Sequence, residues 1–137
     1  MIVLDTNVLS EFTRSVPEPR VVSWLDAQLS DDLFITSITV FEMRLGLALL
    51  PPSARKQLLE AAVSKQIASF GTRILPFDAE AAAACALLTA HRRALGRPIA
   101  LQDAQIAAIA LTHGMALATR NTQDFDETGI DLLDPWG

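Results

Sequence analysis

The first seven residues constrain the fold more than any other stretch of the chain. Ile2, Val3 and Leu4 form a short continuous apolar run, which is typical of a buried strand in a parallel sheet. Asp5 follows at once, and from about Asn7 onward the apolar positions take helical spacing. Because ligands bind beyond the carboxyl ends of strands in open parallel sheets, Asp5 is a candidate site residue. The competing interpretation is that Asp5 only caps the helix.

Short apolar runs and helical patterns alternate along the rest of the chain. Further strands are predicted at 33–35, 73–77, 115–118 and 130–133, and helices at about 17–32, 37–50, 53–70, 78–95 and 101–113. The predicted inward faces of the helices at 37–50 and 53–70 carry Ile38, Phe41, Leu45, Ala48 and Leu49, and Leu58, Leu59, Ala62 and Ile67. This alternation predicts an α/β fold with three layers, in which helices cover both faces of a mostly parallel sheet of about five strands.

Composition narrows the class of protein. A length of 137 residues suits one domain, and no apolar run approaches the roughly 20 residues of a membrane span. The N-terminus reaches Asp5 too early for a signal peptide, and the single cysteine, Cys85, fits a reducing cytosol. The net charge of −5 argues mildly against a general electrostatic grip on nucleic acid, although metal ions among the acids would change that balance.

Two further acids share helical faces with apolar residues. Glu42 has the spacing of a residue on the same face as Ile38 and Leu45, and a carboxylate there is costly unless it is paired, protonated or bound to metal. Its alternatives are a boundary position or a buried pair with arginine. Asp103 shares a face with Ile106, but an acid in the first turn of a helix is also favoured by the helix dipole alone.

A fourth oxygen ligand is predicted just after the strand at 115–118, where Asn121 and Asp124 are equal candidates by spacing. With Asp5, Glu42 and Asp103, either residue completes an all-oxygen set that suits Mg²⁺ or Mn²⁺ rather than zinc. The chain has no zinc-spaced histidines or cysteines, no glycine-rich phosphate loop and no GxSxG elbow. By elimination, a metal–carboxylate site is the catalytic arrangement that the sequence supports.

Four segments, at 4–7, 38–46, 101–108 and 118–125, carry a resemblance to a known family. The sequence resembles the PIN-domain ribonucleases, specifically VapC-type toxins of type II toxin–antitoxin systems, and the ending Pro135-Trp136 is similar to the FitB branch. The resemblance covers essentially the whole chain in the family's order. It implies a single PIN domain over residues 1–137 with a Rossmann-like α/β/α fold and an acidic pocket at the carboxyl edge of the sheet.

The resemblance also implies roles for individual residues and for partners. Asp5, Glu42 and Asp103 match the family's metal-binding acids. Asn121 is the most direct match to the fourth position, with Asp124 close behind. Thr6 and Thr119 match small hydroxyl residues that hold water or the acids in place. The implied activity is Mg²⁺- or Mn²⁺-dependent hydrolysis of RNA in the cytoplasm. The implied partners are a second copy of the chain and an antitoxin protein. DNA is contacted only through the antitoxin, and no membrane is among the implied partners.

Two other classes of function remain open from the sequence. The chain could be a partner-binding module whose acids are vestigial, and metal binding would distinguish that class from a nuclease. It could also be a phosphate-transfer fold, since receivers and phosphatases place an aspartate after the first strand. A receiver needs a lysine late in the chain, but no lysine follows Lys65. A phosphatase of the haloacid type usually has a second aspartate where this chain has Asn7.

Overall fold

A single parallel sheet organises the computed structural model, which describes all of residues 1–137. Its strands are β1 (Ile2–Leu4), β2 (Leu33–Thr36), β3 (Ile74–Leu75), β4 (Ala116–Ala118) and β5 (Leu132–Leu133). Their order is β3-β2-β1-β4-β5, and every pairing is parallel. On one side of β1 the chain adds β2 and then β3. On the other side of β1 it adds β4 and then β5. The strand order therefore reverses between β1 and β4, where open α/β sheets form their ligand crevice.

Six helices connect the strands: α1 (Thr6–Glu11), α2 (Pro19–Asp26), α3 (Ser37–Ala48), α4 (Ala54–Ala68), α5 (Ala79–Ala94) and α6 (Leu101–Thr112). The side chains of Thr36, Ser53 and Asp78 cap α3, α4 and α5, because each accepts a hydrogen bond from a backbone N–H of the first turn. Gly114 follows α6 at a φ of +64°, a conformation that side-chain-bearing residues rarely adopt. The local sequence thus sets where most of the helices begin and end.

The helices cover both faces of the sheet, as predicted. Successive strand residues point to opposite faces, so Val3 packs in the core under α5 and α6, whereas Leu4 packs in the core beside α1 to α4. On β4, Leu117 likewise packs on the side of α5 and α6, and Ala118 packs on the side of α1 to α4. The prediction of a three-layer α/β fold around a parallel five-stranded sheet is confirmed. None of the helices has the length and apolar character that crossing a lipid bilayer requires.

The predicted inward face of α3 is wrong except at Ile38, which is half-buried and packs against the core. Thr39, Met43 and Leu47 are the buried residues of this helix. The side chains of Phe41, Leu45 and Leu49 are 53%, 43% and 75% exposed. Because α3 carries apolar residues on nearly every side, its sequence gives no single direction toward the core.

Other predictions are correct only in part. On α4 the predicted Ile67 is buried and Leu59 packs half-buried against the core, whereas Leu58 and Ala62 are exposed and the buried Val63 was not predicted. Helix α2 ends at Asp26, short of the predicted end near residue 32, so Leu29 lies outside it and is exposed. Strand β3 is shorter than the predicted 73–77, since Pro76 has no N–H to continue the ladder, and β5 is shorter than 130–133.

Candidate active site

Asp5 lies at the carboxyl end of β1, and its side chain is only 6% exposed. Its Oδ1 accepts a hydrogen bond of 2.8 Å from the backbone N–H of Thr6, which caps α1. Its Oδ2 accepts another of 2.8 Å from the hydroxyl of Thr119, the residue that follows β4. Asp5 therefore caps α1 and also stands at the point where the strand order reverses, so it stays a candidate site residue.

Thr6 connects Asp5 to Glu42. The Thr6 hydroxyl donates a 2.7 Å hydrogen bond to Oε1 of Glu42 and lies 2.9 Å from the hydroxyl of Thr39. Since a hydroxyl has one proton to give, Thr39 must donate to Thr6. Thr39 is buried, and its backbone N–H donates to the Thr36 side chain that caps α3. The orientation of Glu42 is therefore fixed by a series of hydroxyls that ends at the start of its own helix.

The surroundings of Glu42 differ from those that its spacing predicted. Glu42 is half-buried at the edge of the site. Leu45 and Leu49, which were predicted to lie on the inward face of the same helix, are exposed. The core-facing argument was therefore wrong, and the boundary alternative describes its burial correctly. The arginine-pair alternative fails, because Glu42 forms no ion pair. What places Glu42 in the site is its hydrogen bond to Thr6.

Thr119 joins the two strands that flank the crevice. While it donates to Asp5, its oxygen accepts from the backbone N–H of Asn121 at 3.1 Å and from the side-chain amide of Asn7 at 3.4 Å. The Asn7 oxygen in turn accepts from the backbone N–H of Arg120 at 3.4 Å. Asn7 thus links α1 to the chain after β4, a role that the sequence analysis missed although the residue lies two positions after Asp5.

Burial and neighbouring charges raise the pKa values of two acids of the site, Asp103 and Asp5. Burial raises the pKa of Asp103, in the first turn of α6, to about 6, and the charges of Asp5, Asp124 and Glu42 add to the effect, against which Arg92 acts weakly. Burial also raises the pKa of Asp5, although its hydrogen bonds from Thr119 and Thr6 oppose that shift. Four carboxylates from four distant segments therefore lie within one another's electrostatic field.

The donor set fits a hard divalent cation. None of these carboxylates takes part in an ion pair, so their repulsion is not relieved by a contacting side-chain cation. No three acidic, histidine or cysteine side chains are close enough together to hold one ion directly. Mg²⁺ in proteins commonly takes only one or two carboxylates and keeps several waters. The arrangement therefore suits an ion that meets some of these acids directly and the others through water.

The two candidates for the fourth position contribute differently. The charge of Asp124, in the 3₁₀ turn Thr122–Phe125, acts on both Asp5 and Asp103. Asn121 contacts the site through its backbone N–H, which donates to Thr119.

Arg92 is a second residue that the sequence analysis missed. It is 4% exposed, and its guanidinium donates to the backbone carbonyls of Arg97, Asp124 and Asp126 at 2.6, 2.9 and 2.7 Å. A signal was present, since Arg92 continues the spacing of four, three and four residues that marks the buried face of α5: Ala81, Cys85, Leu88, Arg92. An arginine in register with a core face indicates a charge with specific buried partners.

A groove of about 230 Å³ leads away from the acids. It begins at Thr6 and Glu42, runs between α1, α3 and α4, and becomes apolar at Met43, Leu47 and Leu50. A ligand in this groove would touch site residues and a hydrophobic surface at the same time.

Comparison with known proteins decides the family, because the PIN-domain model matches residues 2–131. The chain belongs to the PIN-domain family. It is 39% identical to the VapC ribonuclease Y4jK of Sinorhizobium fredii, over 99% of this chain and 98% of that protein. It is 42% identical to the toxin FitB of Neisseria gonorrhoeae, over 99% of each. The structure of FitAB bound to a DNA fragment matches with a TM-score of 0.95 at 42% identity, covering 100% of this chain and 96% of that one. The resemblance to VapC-type PIN proteins of the FitB branch is confirmed.

Proposed function

We propose that this chain is a divalent-metal-dependent endoribonuclease that acts as the toxin of a toxin–antitoxin pair in the cytoplasm, with residues 1–137 forming one PIN domain. The observation that carries the proposal is the cluster of acids, in which Asp5, Glu42 and Asp103 come from separate segments to one crevice and share no cationic partner there. A relative that matches over nearly its full length is named a VapC ribonuclease, which supports RNA as the substrate.

In this proposal Asp5, Glu42 and Asp103 hold Mg²⁺ or Mn²⁺, directly or through water. A bound divalent ion supplies charge stabilisation at the phosphate and eases the ionisation of a water molecule. A water molecule adds in line to the phosphorus while a carboxylate accepts its proton, and the departing ribose oxygen takes a proton from solvent as its P–O bond breaks. We assign the fourth position to Asp124 because its charge reaches Asp5 and Asp103, and Asn121 stays a predicted contributor through its amide.

Thr6 and Thr119 are positioning residues in this scheme. Each donates its hydroxyl proton to a site carboxylate, Thr6 to Glu42 and Thr119 to Asp5, so each fixes one acid relative to the crevice. Because a hydroxyl bonded to a carboxylate favours the ionised form, Thr119 also opposes the rise that burial causes in the pKa of Asp5.

The charge of the site determines when RNA can bind. Without a cation, the crowded carboxylates repel the phosphates of RNA, and the chain as a whole carries a net charge of −5. Affinity for RNA should therefore depend on the divalent ion. RNA binding that is unaffected by EDTA would count against the proposal.

We assign the groove between α1, α3 and α4 to the antitoxin. The similar FitAB structure contains FitB together with its partner FitA and DNA, so contact with DNA belongs to the complex. The groove combines Thr6 and Glu42 with the apolar side chains of Met43 and Leu47, so a segment bound there would cover the crevice and bury hydrophobic surface together.

The exposed stripe of Phe41, Leu45 and Leu49 is a separate surface on the outside of α3. These residues recur every four positions and therefore line one side of the helix. We assign this stripe to a second copy of the chain, in line with the predicted homodimer.

Metal-dependent cleavage of RNA by antitoxin-free protein tests the function. Structured RNAs are incubated with Mg²⁺, Mn²⁺ or EDTA and with the wild type, Asp5→Asn or Asp31→Asn. Asp31 is an exposed acid on another segment, so Asp31→Asn changes the net charge by the same amount and serves as the control. Cleavage should require metal, stop in Asp5→Asn and persist in Asp31→Asn.

Two results would contradict the proposal. Cleavage by Asp5→Asn at the wild-type rate would place the activity elsewhere. A folded wild type that neither cleaves RNA nor binds Mn²⁺ would favour the alternative function, a catalytically weak partner-binding module that acts through its antitoxin complex.

A further inference from the structure

The guanidinium of Arg92 is buried but pairs with no carboxylate. A buried arginine normally has an acidic partner, because removing its charge from water is expensive. Arg92 instead uses its donors on backbone carbonyls, with Nε bonded to Arg97 and Nη1 bonded to both Asp124 and Asp126. Two of its three partners therefore lie in the segment that carries the fourth acid of the site.

These two carbonyls flank Phe125, which anchors the 3₁₀ turn Thr122–Phe125 in the core. Hydrogen bonds also tie the turn at its two ends, from the Asn121 N–H to the hydroxyl of Thr119 and from the Thr128 hydroxyl to the carbonyl of Phe125. Because Nη1 of Arg92 holds the carbonyls on either side of Phe125, it also fixes the orientation of the turn. The orientation of the turn decides where the Asp124 carboxylate lies relative to Asp5.

The other contact between the same two segments is weak. Nη1 of Arg97 lies 3.2 Å from Oδ2 of Asp126, but both side chains are exposed to solvent. Exposed ion pairs contribute little, because water screens them and ordering their side chains costs entropy. Arg92 is thus the main link between the end of α5 and the turn.

We propose that Arg92 is a positioning residue for the metal site: it holds the turn Thr122–Phe125 so that the Asp124 carboxylate faces Asp5 and Asp103. The inference rests on the proposed function, because it assigns Asp124 to a site that binds a divalent ion. Arg92 itself contacts neither the ion nor the substrate in this role.

A role of Arg92 through its charge and a role through positioning Asp124 predict opposite effects on Mn²⁺ affinity when Arg92 is removed. A cation near the acids repels a divalent ion, so if Arg92 acted by charge alone, its removal would strengthen Mn²⁺ binding. If Arg92 holds Asp124 in place, its removal weakens Mn²⁺ binding in spite of the lost positive charge. The direction of the change in affinity therefore separates the two roles.

The experiment measures the dissociation constant of Mn²⁺ by calorimetry with the full chain at pH 7.5. Arg92→Met keeps the length of the side chain but removes its donors, and the exposed neighbour Arg93→Met is the matched control for loss of one charge. Loss of a residue that orients a metal ligand typically weakens binding about 10- to 100-fold. We expect a loss of that size in Arg92→Met and none in Arg93→Met.

The double variant Arg92→Met/Asp124→Asn tests whether Arg92 acts through Asp124. It should bind Mn²⁺ no more weakly than Asp124→Asn alone, since the turn no longer carries a ligand to position. Wild-type affinity for Mn²⁺ in a folded Arg92→Met would overturn the inference. The inference would also be overturned if the fold-loss of affinity in the double variant equalled the product of the fold-losses in the two single variants.

Arg92→Lys decides the question if Arg92→Met fails to fold. It keeps the charge, but an ammonium on a single stem lacks the planar fork that reaches carbonyls in two segments. Weakened Mn²⁺ binding in Arg92→Lys supports positioning, and wild-type binding contradicts it. A wild type that binds no Mn²⁺ overturns the proposed function itself, whereas binding that is indifferent to Arg92 overturns only this inference.

Discussion

Helices α6 and α3 each bring one acid to the site, yet they sit in opposite surroundings. In α6 the residues after Asp103 are almost all buried: Ala104, Ile106, Ala107, Ala108, Ile109 and Ala110. In α3 only three residues are buried, and an apolar stripe faces outward. Asp103 is thus carried by a helix enclosed in the core, whereas Glu42 is carried by a helix whose outer side is free to meet a partner.

The difference shows how the two acids are fixed. Asp103 starts a helix packed on nearly all sides, so the core holds it in place and burial raises its pKa. Glu42 has no such enclosure, and the hydroxyl of Thr6 orients it instead. A partner that contacts α3 therefore acts on the less firmly held half of the site.

The largest expected effect comes from truncating a core residue of α6. Ile106→Ala should lower the free energy of unfolding by about 2–5 kcal/mol, since Ile106 is fully buried and leaves a cavity. Leu45→Ala on α3 should cost no more than about 1 kcal/mol, because Leu45 is 43% exposed. Urea unfolding at protein concentrations where both variants are monomeric checks the pair. Equal losses would contradict the contrast between the helices.

A smaller effect is expected from Asp103→Asn, and it depends on pH. The folded-state pKa of Asp103, about 6, lies above its ordinary value of 3.8. Between these values the folded chain binds more protons than the unfolded chain, so the contribution of Asp103 to stability falls as pH rises from about 4 to 6. Asp103→Asn removes this loss and should be more stable at pH 7, by on the order of 1 kcal/mol after solvent screening.

Urea unfolding of wild type and Asp103→Asn, each measured from pH 4 to pH 7 without metal, tests this expectation. The difference in stability should grow with pH and level off above about pH 6. Parallel curves for the two proteins would show that folding does not raise the pKa of Asp103. Saturating Mn²⁺ should then stabilise the wild type more than the variant, because binding favours the ionised site.

The smallest effect on stability is expected on the outer stripe of α3. Leu49 is 75% exposed, so Leu49→Ser should change the free energy of unfolding of the monomer by no more than about 0.5 kcal/mol. It should nevertheless shift the molar mass measured by light scattering from dimer toward monomer at micromolar concentration. A dimer as stable as that of the wild type would remove this stripe from the interface.

The sequence predicted best where a local pattern has one structural solution. The run Ile2–Leu4 followed by Asp5 predicts a buried strand that ends at the ligand-binding edge, and the cap residues predict most helix starts. Helix α3 shows the limit of that reasoning, because its apolar residues surround the helix and the core uses only one side. Glu42 was therefore selected for a wrong reason, and its partner Thr6 lies 36 residues away, a contact that spacing does not reveal.

Long-range contacts also explain what the sequence left open. The choice between Asn121 and Asp124 depends on the orientation of a turn that Arg92 holds from another helix. The helical spacing of α5 carries a signal that Arg92 is buried, which the sequence analysis missed, and spacing does not identify the carbonyls that Arg92 binds. Composition, which describes only the total charge, indicates neither contact.

Titration calorimetry with Mn²⁺ at pH 7.5 tests most directly whether acids from distant segments form one metal site. The wild type should bind Mn²⁺, and Asp5→Asn, Glu42→Gln and Asp103→Asn should each weaken that binding about tenfold or more, whereas Asp31→Asn should not. If each of the three variants binds Mn²⁺ as the wild type does, the acids do not form a joint site, and the account of this crevice as a metal-dependent active site is wrong.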